Sequence, residues 1–413
     1  MEEWDLVVIG GGAAGYFGAI ACAEAFPGAR VLILEATARV LTKVKVSGGG
    51  RCNVTHNLYE PKQLISFYPR GQKELIGSFH KFQPKDTVEW FQAHGVELKA
   101  ESDGRMFPTT NDSQTVVDCL LGAARDSGVE LRKNKLVQKI LPSAEGFEIH
   151  SKASDPVKAR FILLATGSMP YGVSLASNVG HKLIAPVPSL FTFEIKNPLL
   201  KDLAGISFTE VTATLKVEGA SQDFIQKGPC LITHWGLSGP AILKLSAFAA
   251  RELHASAYKA TLILNWTQSL KQHEALALLE TCKTQSPKKK VSNENPFPCV
   301  KRFWDAILRE SGLNEALTYG EVTKKQLQEI AQRMTQYEFN VKGKGEFKEE
   351  FVTAGGIARE EIDFRTMESK LHPGLYFAGE ATDVDGVTGG FNFQNAWTGA
   401  WLCGQDIAKK LKH

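Results

Sequence analysis

Gly10-Gly11-Gly12 stand together near the start of the chain, Ala13-Ala14-Gly15 follow, and Glu35 lies twenty residues beyond Gly15. The chemistry this spacing suits is the binding of a nucleotide pyrophosphate. In a G-x-G-x-x-G turn Gly10 permits the tight bend, Gly12 lets the anion reach the backbone, and Gly15 lets a helix pack closely on the preceding strand. The first N–H groups of that helix then face the negative charge. A carboxylate at the distance of Glu35 accepts hydrogen bonds from an adenosine ribose.

A second cluster, Ser47-Gly48-Gly49-Gly50-Arg51-Cys52-Asn53, has the composition of a loop that a planar or anionic ligand approaches closely. Arg51 and Asn53 either touch that ligand or brace the loop. Cys52 beside a cation is either a reactive thiol of lowered pKa or a small packed residue. His234, within Thr233-His234-Trp235-Gly236-Leu237-Ser238-Gly239-Pro240, is the better acid/base candidate, because imidazole transfers protons near neutrality. A histidine that satisfies backbone groups is the alternative there, and a surface loop residue is the alternative for His56. Gly355 and Gly356, after Thr353, offer a further backbone approach. Lys288-Lys289-Lys290 sit in a proline-bounded loop and read as a solvated face.

These residues need a scaffold. Leu6-Val7-Val8-Ile9 and Arg30-Val31-Leu32-Ile33-Leu34 are continuous apolar runs suited to strands of a parallel sheet, and the small and apolar residues after Gly15 suit a helix packed on it. Phe161 to Gly167 and Gly374 to Glu380 are further strands ending in glycine turns. Gly386 to Trp397 opens a helix running to about Lys410. The 413 residues allow two or three domains. A net charge of +3 is too small to argue for nucleic acid or an anionic membrane. Seven cysteines without a C-x-x-C pair imply a reducing compartment, no disulfide framework and no structural zinc, so no metal is expected. No apolar run reaches membrane-spanning length, and the acidic start leaves no room for a targeting segment; the expected location is cytoplasmic.

The strands ending at Gly167 and Glu380 resemble those of the glutathione-reductase-like FAD superfamily. Ser47 to Thr55, together with Asp383-Val384-Asp385-Gly386 and Thr388-Gly389-Gly390-Phe391-Asn392, is similar to the BaiN-like flavoprotein family of NAD(P)/FAD-dependent, aminoacetone-oxidase-like oxidoreductases. Gly104 to Pro108, Thr233 to Pro240, Val352 to Ile357 and Thr366 to Lys370 extend the similarity along the chain. Two positions depart from it: His56 replaces a more usual Asn, and Thr166 to Tyr171 follows the usual A-T-G-G-x-S-Y-P only loosely. The resemblance implies FAD, held by Gly10, Gly12, Ala13, Ala14, Gly15, Glu35, Lys43, Ser47, Gly48, Gly49, Arg51, Cys52, Asn53, Val137, Ala165, Thr166, Gly167, Gly355, Gly379, Glu380, Asp385, Thr388, Gly389, Gly390, Asn392 and Gln394. It also implies a helix N-terminus after Gly390 directed at the flavin pyrimidine, where it favours negative charge by roughly 0.3–2 kcal/mol.

The expected fold is α/β: a split Rossmann-type FAD-binding domain over 1–190 and 348–413, with an inserted domain at 191–347. The insert is expected as a small β-barrel with a helical subdomain at about 268–335. A second G-x-G-x-x-G and a redox-active cysteine pair are both missing, which argues against a disulfide reductase. The expected activity is two-electron transfer on a small organic molecule, with NAD(P)H a candidate electron donor. A flavin-dependent RNA-modifying enzyme and a non-catalytic redox sensor are the alternatives, and nucleic acid is not an expected partner.

Overall fold

A computed structural model describes residues 1–152, 154–314, 316–345 and 352–413. They form two compact units, one of residues 1–186 and 353–413, the other of residues 187–352. The first boundary thus falls four residues before the expected 191. The expected second boundary, 347/348, lies outside the described residues.

The first unit is built on a sheet whose core is parallel. β1 (Glu2–Ile9) lies in the middle, with β2 (Val31–Leu34) on one side and Val157–Leu164 on the other. Glu130–Arg132 extends it beyond β2, and Leu375–Phe377, from the end of the chain, pairs in parallel with Val157–Leu164. Leu6 to Ile9 and all of β2 are buried, as continuous apolar strands covered on both faces must be. Strand order reverses at β1, so a crevice opens at its C-terminal end, where open α/β sheets bind ligands. Val137–Ser143 and Gly146–Ser151 add an antiparallel meander joined to Val157–Leu164.

Helix α1 (Ala13–Ala25) and the last helix, Phe391–Leu411, cover this sheet. Glycines set how closely they approach. A side chain at Gly18 would meet the Leu163 side chain at 2.4 Å and the Ala400 carbonyl at 3.3 Å; one at Gly404 would meet Ala21 Cβ and Cys22 N at 2.7 Å. Phe17 of α1 completes the contact, with Trp397, Trp90 and Phe82 around it at ring-centroid distances of 4.6–5.7 Å.

At the sheet's far edge His181 is buried between Glu361 and Ser369. Its Nδ1 lies 2.9 Å from Glu361 Oε2 and its Nε2 3.0 Å from Ser369 Oγ. Burial holds this imidazole below its usual pKa, against the opposing pull of Glu361.

The second unit is an antiparallel sheet. Its pairing runs in the order Tyr337–Val341, Ala260–Asn265, Ser207–Val217, Phe224–Ile232, Gly236–Ser238, Phe193–Glu194 and Gly343–Lys344. Among the described residues the two ends of that path are not paired with each other, so the barrel expected here is seen as an open order of strands. Ser207–Val217 alternates between buried and outward residues, interrupted by an irregularity between Phe208 and Val211. Phe208, Trp266 and Phe303 meet in tilted and edge-to-face contacts at ring-centroid distances of 4.6–4.9 Å in its core. The helices read from sequence lie within Gln272–Gln285 and Lys324–Thr335; Pro240–Phe248 and Lys301–Glu310 are additional.

Two outcomes follow. Gly404→Val forces backbone apart where α1 meets the last helix and should destabilise the chain by about 1–3 kcal/mol in chemical denaturation; an unchanged midpoint contradicts the packing described. The unfolded imidazole of His181 titrates near 6.5 and the folded one lower. The unfolded chain therefore takes up that proton first as pH falls. The contribution of His181 is complete above about pH 6.5 and is lost as pH drops below it. Thermal melts between about pH 7.5 and 5.5 should show this loss, and His181→Gln should flatten it.

Candidate active site

The glycines divide by what stands where their side chains would be. At Gly10, with φ +112°, a Cβ would lie 2.5 Å from the Ala165 carbonyl oxygen, and at Gly15 only 1.9 Å from that of Gly10. Those two are small because the protein's own backbone is there. At Gly12 nothing lies within 4 Å, although its φ of −92° would suit any residue. This glycine faces open space at the N-terminus of α1. That terminus has no side-chain cap and no acidic residue in its first turn. Uncapped N–H groups of Ala13, Ala14 and Gly15 beside open space fit an anion.

Neighbouring segments shape the same crevice. Glu35 Oε2 accepts from Gly11 N at 2.8 Å, while Oε1 accepts from the Thr37 amide and hydroxyl, both at 2.8 Å. The carboxylate thereby holds the glycine turn. Residues after Arg132 run alongside, with Lys135 N donating to the Glu35 carbonyl at 2.8 Å, and lead to the buried Val137. Ala165 N donates to the Ile9 carbonyl at 2.9 Å. The Thr166 hydroxyl is buried without a partner, close under Gly172. Gly379 rests on Ala14 and Ala396. Glu380 pairs with Lys43 of α2 (Thr42–Gly50), with Gly167 beside its carboxylate.

The second glycine cluster ends α2. Ser47 is extended, and Gly48, Gly49 and Gly50 all adopt left-handed backbone, with φ of 58°, 68° and 85°. The Cβ positions of Gly49 and Gly50 meet nothing within 4 Å. Gly48 by contrast fits against the Phe107 ring and Asn53 N. This is a second open stretch of backbone.

Several side chains expected at the cofactor are bonded to other parts of the protein. Arg51 donates to Glu101 at 2.6 Å and lies 4.0 Å over the Phe107 ring, so it braces the loop. Cys52 is fully buried, and burial pushes its thiol up to about 12, the opposite of what a reactive thiolate requires. The Asn53 amide, oriented by its surroundings, accepts from Gly390 N at 2.9 Å and donates to the Thr55 carbonyl at 2.9 Å. It thus ties the second glycine cluster to the start of the last helix. Asn392 clasps Gly386 through both its amide N–H and its carbonyl, each at 2.8 Å. Gln394 is fully buried; its oxygen accepts from Thr55 and Thr87 and its nitrogen donates to Thr398. Asp385 is buried in a bidentate ion pair with Arg70. Gly355 is required by the carbonyl of Ala185, 2.7 Å from its Cβ position. Thr388 is exposed, and Gly389 and Gly390 bend the chain around Phe391 and Thr55. His234 stands exposed at the tip between Phe224–Ile232 and Gly236–Ser238. Arg70 carried no motif in the sequence, and only the folded chain shows what it holds.

An uncapped helix start, two open glycine turns and an unpartnered hydroxyl at the switch point suit a long dinucleotide. Gly12 with the first turn of α1 would hold its pyrophosphate and Glu35 its ribose. The arrangement is that of an FAD-dependent oxidoreductase. Residues 4–406 match the family described as HI0933-like protein Rossmann domain, and the chain belongs to that family. It is 28% identical to a ribosomal RNA dihydrouridine synthase of Escherichia coli and 27% identical to a 3-dehydro-bile acid delta(4,6)-reductase of Clostridium scindens. Each alignment covers 98% of both chains. The fold is similar to that of a 3-ketosteroid delta1-dehydrogenase from Sterolibacterium denitrificans, with a TM-score of 0.51 and 13% identity over 99% of this chain and 100% of that one. A flavocytochrome c3 fumarate reductase gives 0.50 and 16% over 99% and 78%. Among the described residues no helix is long and apolar enough to cross a membrane, and no cluster of ligating side chains could hold a metal ion.

Gly12 separates binding from folding. Gly12→Val should leave the stability of the FAD-free chain within about 0.5 kcal/mol of the parent, as for a surface change. FAD affinity, read by absorbance titration, should fall by at least about ten-fold, because the pyrophosphate loses its approach to backbone. Parent-like affinity would show that the open space is not the anion site.

Proposed function

We propose that this protein is an FAD-dependent reductase of a carbon–carbon double bond conjugated to a carbonyl group in a small organic molecule, with NAD(P)H as the electron donor. The observation that carries the reading is a shared chemistry in the names of two relatives, each aligned over 98% of the chain. Dihydrouridine is uridine with its ring double bond saturated, and that bond is conjugated to a ring carbonyl. A 3-dehydro delta(4,6) bile acid likewise carries double bonds conjugated to a ring ketone. The substrates are unlike; the reaction, net addition of two electrons and two protons across an activated double bond, is the same.

FAD, when bound, supplies the hydride chemistry. The chain must supply the rest. A hydride at the β-carbon leaves charge on the carbonyl oxygen, and a proton must then reach the α-carbon. The donor must be a group that is protonated near neutral pH and gives its proton up readily, and Cys52, buried with its thiol pushed up to about 12, does not meet the second requirement. NAD(P)H gives up a hydride and leaves as NAD(P)⁺, which balances the electrons.

A second reading follows from the relatives named ribosomal RNA dihydrouridine synthase, from Escherichia coli and Haemophilus influenzae: the activated double bond would be that of a uracil ring in RNA. One experiment addresses both. The FAD-loaded protein is titrated anaerobically with NADH and then NADPH while the 450 nm band is followed, and the bleached protein is mixed with a cyclic enone, with free uridine or with ribosomal RNA. Bleaching by a nicotinamide and recovery of the band with the enone supports the proposal. Recovery with RNA alone, with dihydrouridine found in the digested product, moves it to the second reading. No bleaching by either nucleotide rejects the NAD(P)H-linked reductase.

A further inference from the structure

We propose that Arg70 is a positioning residue of the cofactor site: it fixes the course of the loop Asp383–Gly390 and, through it, the start of the last helix. The inference rests on FAD lying against Gly389 and Gly390.

The loop needs an outside brace. Asp385, Asn392 and Gln394 are all turned toward protein partners. The segment Phe67 to Gly71 runs along the loop, meeting it at three points and the first residue of the last helix at a fourth. Val387 N donates to the Phe67 carbonyl at 2.9 Å. The Tyr68 hydroxyl donates to the Phe391 carbonyl at 2.7 Å. Arg70 and Asp385 form a backbone bridge as well as their ion pair. A Cβ on Gly71 would press on Val384 at 2.9 Å.

Of these contacts the ion pair is the one that packing alone does not explain. The side chains of Arg70 and Asp385 are 8% and 1% exposed. Removing two charges from water costs several kcal/mol per ion, and two apolar side chains of similar size often stabilise a chain as well or better. What an apolar pair lacks is direction. The guanidinium uses Nε and Nη2 on the two carboxylate oxygens, which sets both the distance and the angle of the loop. The arrangement continues next door. Asp383, also buried, accepts from Arg359 Nε at 3.3 Å, and Arg359 Nη1 reaches both oxygens of Glu74 at 3.1 and 3.2 Å. Glu74 lies on the helix Gln72–Phe79 that begins just after Arg70. Both carboxylates flanking Val384 are thus held by arginines from different parts of the chain.

The test separates positioning from stability. Arg70→Met/Asp385→Leu replaces the pair by apolar side chains, and Arg70→Lys keeps the charge without the fork. Each is compared with the full-length parent for the melting temperature of the FAD-free chain, for FAD affinity, and for the shape of the bound 450 nm band. The expected result is a double variant that melts close to the parent but binds FAD roughly ten-fold more weakly, the size of loss typical when a partner orienting a binding group is removed. Arg70→Lys should show a smaller loss in the same direction, with an altered band. Parent-like affinity and band shape in Arg70→Lys overturn the proposal whether or not the double variant folds. So does parent-like binding in a folded double variant. If the parent itself binds no FAD, the cofactor reading fails first, and the titration of the parent shows that independently.

Discussion

Everything at this site is arranged around a helix start whose N–H groups the protein leaves uncapped. Gly12 faces open space, and no side chain caps the start of α1. Such an end is ordinarily satisfied by a side chain, water or a ligand. The first and last segments of the chain must come together to frame it. Leu375–Phe377 joins the parallel sheet beside Val157–Leu164, and the last helix settles on α1 through Gly18 and Gly404. Gly379 then rests on Ala14, and Glu380 meets Lys43. Removing the close helix contact would take away the wall that the C-terminal segment provides.

The glycine turns were legible in the sequence because their demands act on the backbone. A glycine is readable when no other residue can take its place, as at Gly10 and Gly15, and a strand is readable when it is apolar on both faces, as in β2. Side-chain roles were not legible in the same way. Asn392, Gln394 and Asp385 lie within a glycine-rich segment, and polar residues there look like ligands. The folded chain shows each one bonded to partners more than two residues away: Gly386 for Asn392, Thr55 and Thr87 for Gln394, Arg70 for Asp385. Two of these three sets of partners lie over 300 residues distant in sequence, and one sequence carries no signal of such a pairing. Cys52 illustrates the same limit, since its neighbour Arg51 is drawn off to Glu101 and Phe107 and the thiol itself is buried.

The second unit was less legible than the first. Its strands alternate and so could be located, but Pro240–Phe248 and Lys301–Glu310 went unread as helices. Pro240–Phe248 is almost uniformly apolar, which suits a buried strand as well as a buried helix. In Lys301–Glu310 the buried run Phe303, Trp304, Ala306, Ile307 and Leu308 follows a proline-rich stretch that reads as loop. Strand order and closure depend on pairings between distant segments, which periodicity does not encode.

This difference explains why a cofactor can be inferred with residues attached while a substrate is inferred only by reaction class. FAD is the same molecule wherever it binds, so the backbone geometry that admits it recurs as a pattern of glycines. A substrate touches side chains, and those differ between proteins that perform one reaction. The two relatives aligned along the whole chain bear names for an RNA base and a sterol acid, at nearly equal identity to this protein. Nothing in the glycine turns distinguishes them. The distinction between such substrates belongs to residues outside the glycine turns, where sequence is free to follow the substrate.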